Sequence, residues 1–154
     1  MIVIDVEASG LAEQSYPIEI AWQDSEKRSE FDSFLIKPFD DWTYWDDHAE
    51  QAIHHISRAE LFLKGISPEE ACNRLNQRLK GQTVYSDAIR FDQGWIMKMF
   101  ESAGMEISFG FESIFSQLPK GNLENYNILV EKETVKHRAL NDARQIIQWV
   151  RHLS

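Results

Sequence analysis

A chain of 154 residues is long enough for one domain with a substantial core and leaves no room for a second. Hydrophobic residues make up 43% and aromatics 12%, a globular composition, while a formal charge of −9 argues against a protein that grips nucleic acid through a broad basic surface. The single cysteine, Cys72, excludes an intramolecular disulfide and a thiolate metal cluster; it falls in a helical pattern with Ala71, Leu75 and Leu79 and reads as core.

The chain opens on Ile2, Val3 and Ile4, then runs through Asp5 and Val6 to Glu7. A short β-branched run with no polar face predicts a strand buried on both sides, at the centre of a sheet. Alternation sends Ile2, Ile4 and Val6 to one face and Val3, Asp5 and Glu7 to the other. The two acids then project together, their Cα atoms roughly 6.5–7 Å apart. Either the strand ends at Asp5 and both acids are solvated, or they belong to a divalent-metal site. Two divalent ions would add four positive charges and bring −9 to −5.

A small-residue turn at Ala8, Ser9 and Gly10 leaves Leu11 exposed. Alternation predicts strands over residues 16–23 and 30–36, joined by a polar hairpin link at 24–29. Residues 39–47 mix four aromatics with four acids and read as a surface loop. Trp42, Tyr44 and Trp45 there are either loop anchors or a stacking platform for bases. Ser57 with Glu60, and Ser67 with Glu70, form capping boxes, the second with Pro68 at the first helical position. That second helix is predicted to run to Leu79. A short strand over 83–86 leads through residues 87–92 into a helix reaching Ala103. A fifth strand is predicted at 105–111, short helices at 112–118 and 123–131, and a long terminal helix at 138–153. On that last helix Ala139, Ala143, Ile146, Ile147, Val150 and Leu153 recur on one stripe.

Asp142 lies at the edge of this apolar stripe, with His137 five residues earlier. Asp92 stands at a helix start, where it could serve as an N-cap. Singly these are weak signals. Together, four acids and one histidine fall at a strand end, at helix termini and in a loop, and hard divalent cations take oxygen ligands of this kind.

The segments 5–7, 87–92 and 137–142 resemble, in order and spacing, the three motifs of the DEDDh family of 3′→5′ exonucleases. That family includes ribonuclease T, oligoribonuclease, exonuclease X and the proofreading subunit of the bacterial replicative polymerase. Residues 17–21 look like its second strand and residues 53–57 like its His-Gly-Ile-Ser/Thr segment. The likeness spans residues 2 to about 150. It implies an α/β, ribonuclease H-like fold: a mixed five-stranded sheet flanked by helices, in one exonuclease domain over 1–154. It implies two Mg²⁺ or Mn²⁺ ions held by Asp5, Glu7, Asp92 and Asp142, with His137 as general base. Arg138 stands where the tyrosine-type relatives carry Tyr, so the histidine class fits. It also implies that the terminal nucleotide is held by Ala8, Ser9 and Gly10, with Leu11 wedged against its base.

Three departures qualify the likeness. Ala8 replaces a common Thr or Ser, Asp87 replaces a common Asn and so rivals Asp92, and His55 replaces a common Gly. Lys132, Lys136, Arg138 and Arg144 put positive charge beside the site. The expected activity is release of nucleoside monophosphates from single-stranded or frayed 3′ ends, with DNA placed ahead of RNA. An RNA-trimming exoribonuclease and a non-catalytic nucleic-acid-binding module remain alternatives, and a homodimer is compatible with the sequence. No leader precedes the first strand and no apolar run reaches membrane-spanning length, which predicts a cytoplasmic protein with no membrane partner.

Overall fold

The computed structural model describes residues 1–132 and 137–154. The opening apolar run forms β1 (Ile2–Ala8), paired antiparallel with β2 (Pro17–Asp24), which pairs antiparallel with β3 (Phe31–Leu35). On its other side β1 runs parallel to β4 (Thr83–Ser86), and β4 runs parallel to β5 (Gly110–Ser113). The sheet is therefore mixed, in the order β3-β2-β1-β4-β5, with β1 at its centre. The expected mixed five-stranded sheet flanked by helices is the observed architecture.

Helices cover both faces. On one side Ile4, Val6, Ile18, Ile20 and Trp22 pack against α2 (Arg58–Lys64), α3 (Pro68–Leu79) and α4 (Ile89–Ser102). Cys72 is part of this core, as its helical pattern predicted. On the other side Val3 packs with Tyr126 of α5 (Leu123–Lys132) and with Ala143, Ile146, Ile147 and Val150 of α6 (Ala139–Leu153). The N-cap half of both predicted capping boxes forms: Ser57 and Ser67 accept from the amides of Glu60 and Glu70 at 3.1 Å each. No described helix is long and apolar enough to cross a membrane.

Four sequence expectations are corrected. The fifth strand lies at Gly110–Ser113 and not at 105–111. Met105 and Ile107 are apolar because they pack on the core from a loop, which the Asn76 side chain pins by hydrogen bonds to Glu106 O and Ser108 N (2.9 Å each). Within 112–118 only Ile114–Gln117 is helical, as a 3-10 turn. Glu30 lies outside β3 because its amide closes the preceding turn on Lys27 O. Asp47, expected inside the 39–47 loop, instead begins α1 (Asp47–Ala49), which runs into a π-helical turn (Glu50–His54). Asp46, one of the loop acids, caps it by accepting from His48 N at 2.9 Å.

Candidate active site

In open α/β sheets, ligands collect beyond the carboxyl ends of parallel strands. Here β1 and β4 run parallel and β1 continues past the end of β4, carrying Asp5 and Glu7 beyond it, with α4 on one face and α6 on the other. The alternation expected for β1 holds: Val3 belongs to the α6-side core, and Asp5 and Glu7 share its face. Both acids are only 8% exposed. Asp92 is 3% exposed, in the first turn of α4, where its amide bonds Ala88 O. It is not a cap; the N-cap is Ala88, which makes no side-chain hydrogen bond. Asp142 enters from the first turn of α6.

These elements bring the four predicted acids together and add a fifth. One carboxylate oxygen from each of Asp5, Glu7 and Asp142 lie within 4.8 Å of one another, and the same holds for Asp5, Asp87 and Asp92. Asp5 is common to both triplets. The sequence posed Asp87 and Asp92 as rivals, whereas the fold gathers both. Tyr126 Oη donates to Asp87 at 3.1 Å and Ser86 Oγ to Asp92 at 2.6 Å.

Crowding and burial dominate the electrostatics. Burial first, then the neighbouring carboxylates, push Asp5 well above the usual carboxylate range. Glu7 rises to about 9 through burial and the closeness of Asp142, and Asp92 to about 8, again chiefly through burial. Asp142 is raised by burial to about 6, against a lowering pull from His137. Burial raises Asp87 as well, while the Tyr126 hydrogen bond draws it back. Asp5 Oδ2 is buried and has no hydrogen-bond partner among the described residues.

His137 stands exposed at the rim, its Nδ1 3.4 Å from Asp142 Oδ2 and its amide bonded to Ile53 O. Of the basic residues expected beside the site, Arg138 is bound to Glu19, and Arg144 donates to Gln23 and lies over the Phe31 ring. Lys132 is exposed, and Lys136 lies outside the described residues.

A cavity of about 360 Å³ opens over the acids. Ala8, Gly10 and Leu11 line it, Leu11 being 73% exposed. The ladder slips between Glu7 and Ala8, and the chain leaves the sheet there. Ser9 is buried, and both its amide and its hydroxyl engage Tyr16 (3.0 and 3.2 Å), so it shapes the turn from within. A Cβ on Gly10 would sit 2.8 Å from the Tyr44 ring and 3.0 Å from Asp46 Cβ, so glycine is required for the turn to close on this segment. Trp42 is buried, stacked on Tyr16 at 5.3 Å, and Trp45 meets His54 edge-on and donates to Glu50. The aromatic loop is thus an anchor for the turn. His55 adopts φ 57°, the left-handed conformation that its replacement of glycine predicted.

Sequence reading missed most of the apolar wall: Ile53, Phe91, Trp95, Val130 and Trp149. Phe91 is 46% exposed and lies 6.4 Å, centroid to centroid, from Trp95. An exposed Phe beside a buried Asp was the available signal. His54, also in the wall, is 1% exposed, and burial lowers it to about 4, which keeps it neutral.

Among solved structures, the chain is similar to exonuclease I of E. coli in complex with a dA13 oligonucleotide (TM-score 0.72, 17% identity, 96% of this chain and 38% of that one). The zinc-bound complex of the same enzyme with single-stranded DNA superposes equally (TM-score 0.72, 17% identity, 96% and 38%). A moderately thermophilic exonuclease I from Methylocaldum szegediense gives a TM-score of 0.74 at 18% identity, over 98% of this chain and 40% of that one. This chain spans about two fifths of those proteins. The likeness establishes the ribonuclease H-like exonuclease fold. No family model and no curated protein matches the sequence.

Proposed function

We propose that this chain acts as a single, metal-dependent 3′→5′ exonuclease domain that releases nucleoside monophosphates from single-stranded or frayed 3′ ends. The observation that carries the reading is the pair of carboxylate triplets sharing Asp5, whose Oδ2 is buried with no hydrogen-bond partner among the described residues. Carboxyl groups pushed this far up by burial and, after it, by their neighbours fit a pair of hard divalent cations, which supply the missing charge and accept oxygen ligands. Asp5, Glu7 and Asp142 would hold one Mg²⁺ or Mn²⁺, and Asp5 with Asp92 and Asp87 the other. When bound, such ions act as Lewis acids toward the phosphate oxygens.

The chain's own residues do the rest. The base of the terminal nucleotide lies between Leu11 and the Phe91–Trp95 wall, and the close turn at Ala8 and Gly10 admits its sugar. With Nδ1 of His137 turned to Asp142, Nε2 is the atom that takes the proton of the attacking water. The water oxygen bonds to phosphorus, the bond to O3′ of the shortened strand breaks, and that oxygen takes a proton from solvent. Structural neighbours solved with single-stranded DNA support a single-stranded DNA substrate for this chain.

The test uses DNA and RNA oligonucleotides labelled at either end, with Mn²⁺, with Mg²⁺ and in EDTA. The expected result is a ladder descending one nucleotide at a time from the 3′ end, only with metal. Cleavage in EDTA, or fragments from a circular substrate, would overturn the reading, the second outcome in favour of an endonuclease.

A further inference from the structure

The helix that brings Asp142 to the site begins without a cap of its own. Arg138 occupies the N-cap of α6 in extended backbone and makes no side-chain cap bond, although a helix N-terminus leaves four amides in need of acceptors. The acceptor comes from β2. Glu19 Oε1 accepts from the Ala139 amide at 2.7 Å. The same carboxylate takes the Arg138 guanidinium, with Nε 3.1 Å from both oxygens and Nη2 2.6 Å from Oε2.

Glu19 is 4% exposed and lies directly across the β1–β2 ladder from Glu7, on the face turned to α6. With Glu19 buried but the Arg138 side chain 41% exposed, the ion pair contributes little to stability through its charges alone, because the exposed partner is screened by solvent. It is, however, directional. Fork geometry plus a main-chain bond fixes one turn in one place. That turn carries His137 immediately before Arg138, and Asp142, whose amide bonds Arg138 O at 2.9 Å.

We propose that Glu19 is a positioning residue: from β2 it caps α6 and clamps Arg138, setting the turn that brings Asp142 to Asp5 and Glu7 and His137 to the cavity rim. This rests on the exonuclease reading above. Glu19 does not belong to either cation triplet, because Arg138 and Ala139 already engage both its oxygens. Asp142 belongs to one triplet only, so a loosened turn should damage one cation site and spare the other.

The experiment compares wild type, Glu19→Gln, Arg138→Lys and the double variant. It measures Mn²⁺ binding by calorimetry, the metal-free melting temperature, and kcat and KM on a single-stranded 3′ end. Positioning by an outer hydrogen-bonding residue typically accounts for roughly 10–100-fold in metal affinity or rate. The expected result is a loss of that size in kcat and in the affinity of one of two Mn²⁺ ions, with KM changed less than about threefold. The double variant should be little worse than Glu19→Gln, since the two side chains act as one unit. A lower melting temperature with unchanged kcat and both Mn²⁺ affinities intact would make the clamp purely structural and overturn the proposal. Should Glu19→Gln fail to fold, Arg138→Lys decides the matter, because it keeps the charge and the Ala139 bond while losing the fork. Wild type that binds two Mn²⁺ and cleaves nothing would overturn the exonuclease reading instead, and the Mn²⁺ affinities would still decide the role of Glu19.

Discussion

Replacing Glu7 by Gln should stabilise the metal-free protein while weakening its response to metal. Glu7 is buried beside Asp142 and Asp5, and its carboxyl is raised from the ordinary value of 4.5 to about 9. Holding it protonated at pH 7 opposes folding by on the order of 3 kcal/mol, and relaxation of its neighbours trims this to about 1–3 kcal/mol. Glutamine keeps the shape and donates toward Asp142 without having to bind a proton first. In a chain of this size the gain corresponds to roughly 2–12 °C in Tm.

The pH dependence has a definite sign. A carboxyl whose folded pKa is raised contributes stability that is fully present below its unfolded pKa and is lost as pH rises through the folded one. For Asp142, Asp92 and Glu7 those folded values are about 6, 8 and 9. In EDTA the wild-type Tm should therefore fall steadily from pH 5 to pH 9. The Glu7→Gln curve should lie above it, with the gap widening as pH rises. Thermal melts followed by circular dichroism across that range check both points. A flat wild-type profile, or a variant no more stable than wild type at pH 8, would refute the crowding argument.

Mn²⁺ or Mg²⁺ should raise the wild-type Tm by mass action, and Asp5→Asn should suppress both this shift and the activity more than any other single acid change, because Asp5 serves both triplets. His137→Ala should keep the metal-induced shift yet cut turnover by roughly 10²–10⁴-fold; wild-type rates across pH 6–9 would remove the base role. Phe91→Ala should raise KM by an amount equivalent to about 1–3 kcal/mol of lost stacking, read from initial rates on short oligonucleotides. With a net charge of −9, and with Arg138 and Arg144 engaged by Glu19 and Gln23, log K for a single-stranded 3′ end should fall only shallowly with log salt, and a steep slope in fluorescence titrations would count against this site.

Legibility in the sequence followed the strength of the local signal. The β-branched opening run and its alternation were enough to place β1 at the centre and both acids on one face. The two capping boxes and the apolar stripe of α6 did as much for three helices. Where a side chain from elsewhere overrode local pattern, the reading went astray: Asn76 holds Met105 and Ile107 as loop although their composition is strand-like. The π-helical turn at Glu50–His54 has no periodic signature, so the wall that Ile53 and His54 contribute was invisible. The Trp42 loop carried too many aromatics and acids for its sequence to say which were buried; stacking on Tyr16 decided it.

The contrast between two carboxylates on neighbouring strands carries the functional argument further than motif matching can. Glu19 and Glu7 face each other across one ladder, on one face and under similar burial. Glu19 has a guanidinium and a helix amide, and its burial is thereby matched within the chain. Glu7 has the acids Asp142 and Asp5 beside it, and among the described residues Asp5 Oδ2 finds no hydrogen-bond partner. Folding normally removes such conflicts, and the one that persists here is what the proposed pair of cations would relieve. Alternation alone does not separate the two, both being single glutamates in strands; only the motif resemblance singled out Glu7. The partners each acquires in the fold separate them: Glu19 is matched by Arg138 and the Ala139 amide, and Glu7 is the one to which the proposed cation would supply the missing charge.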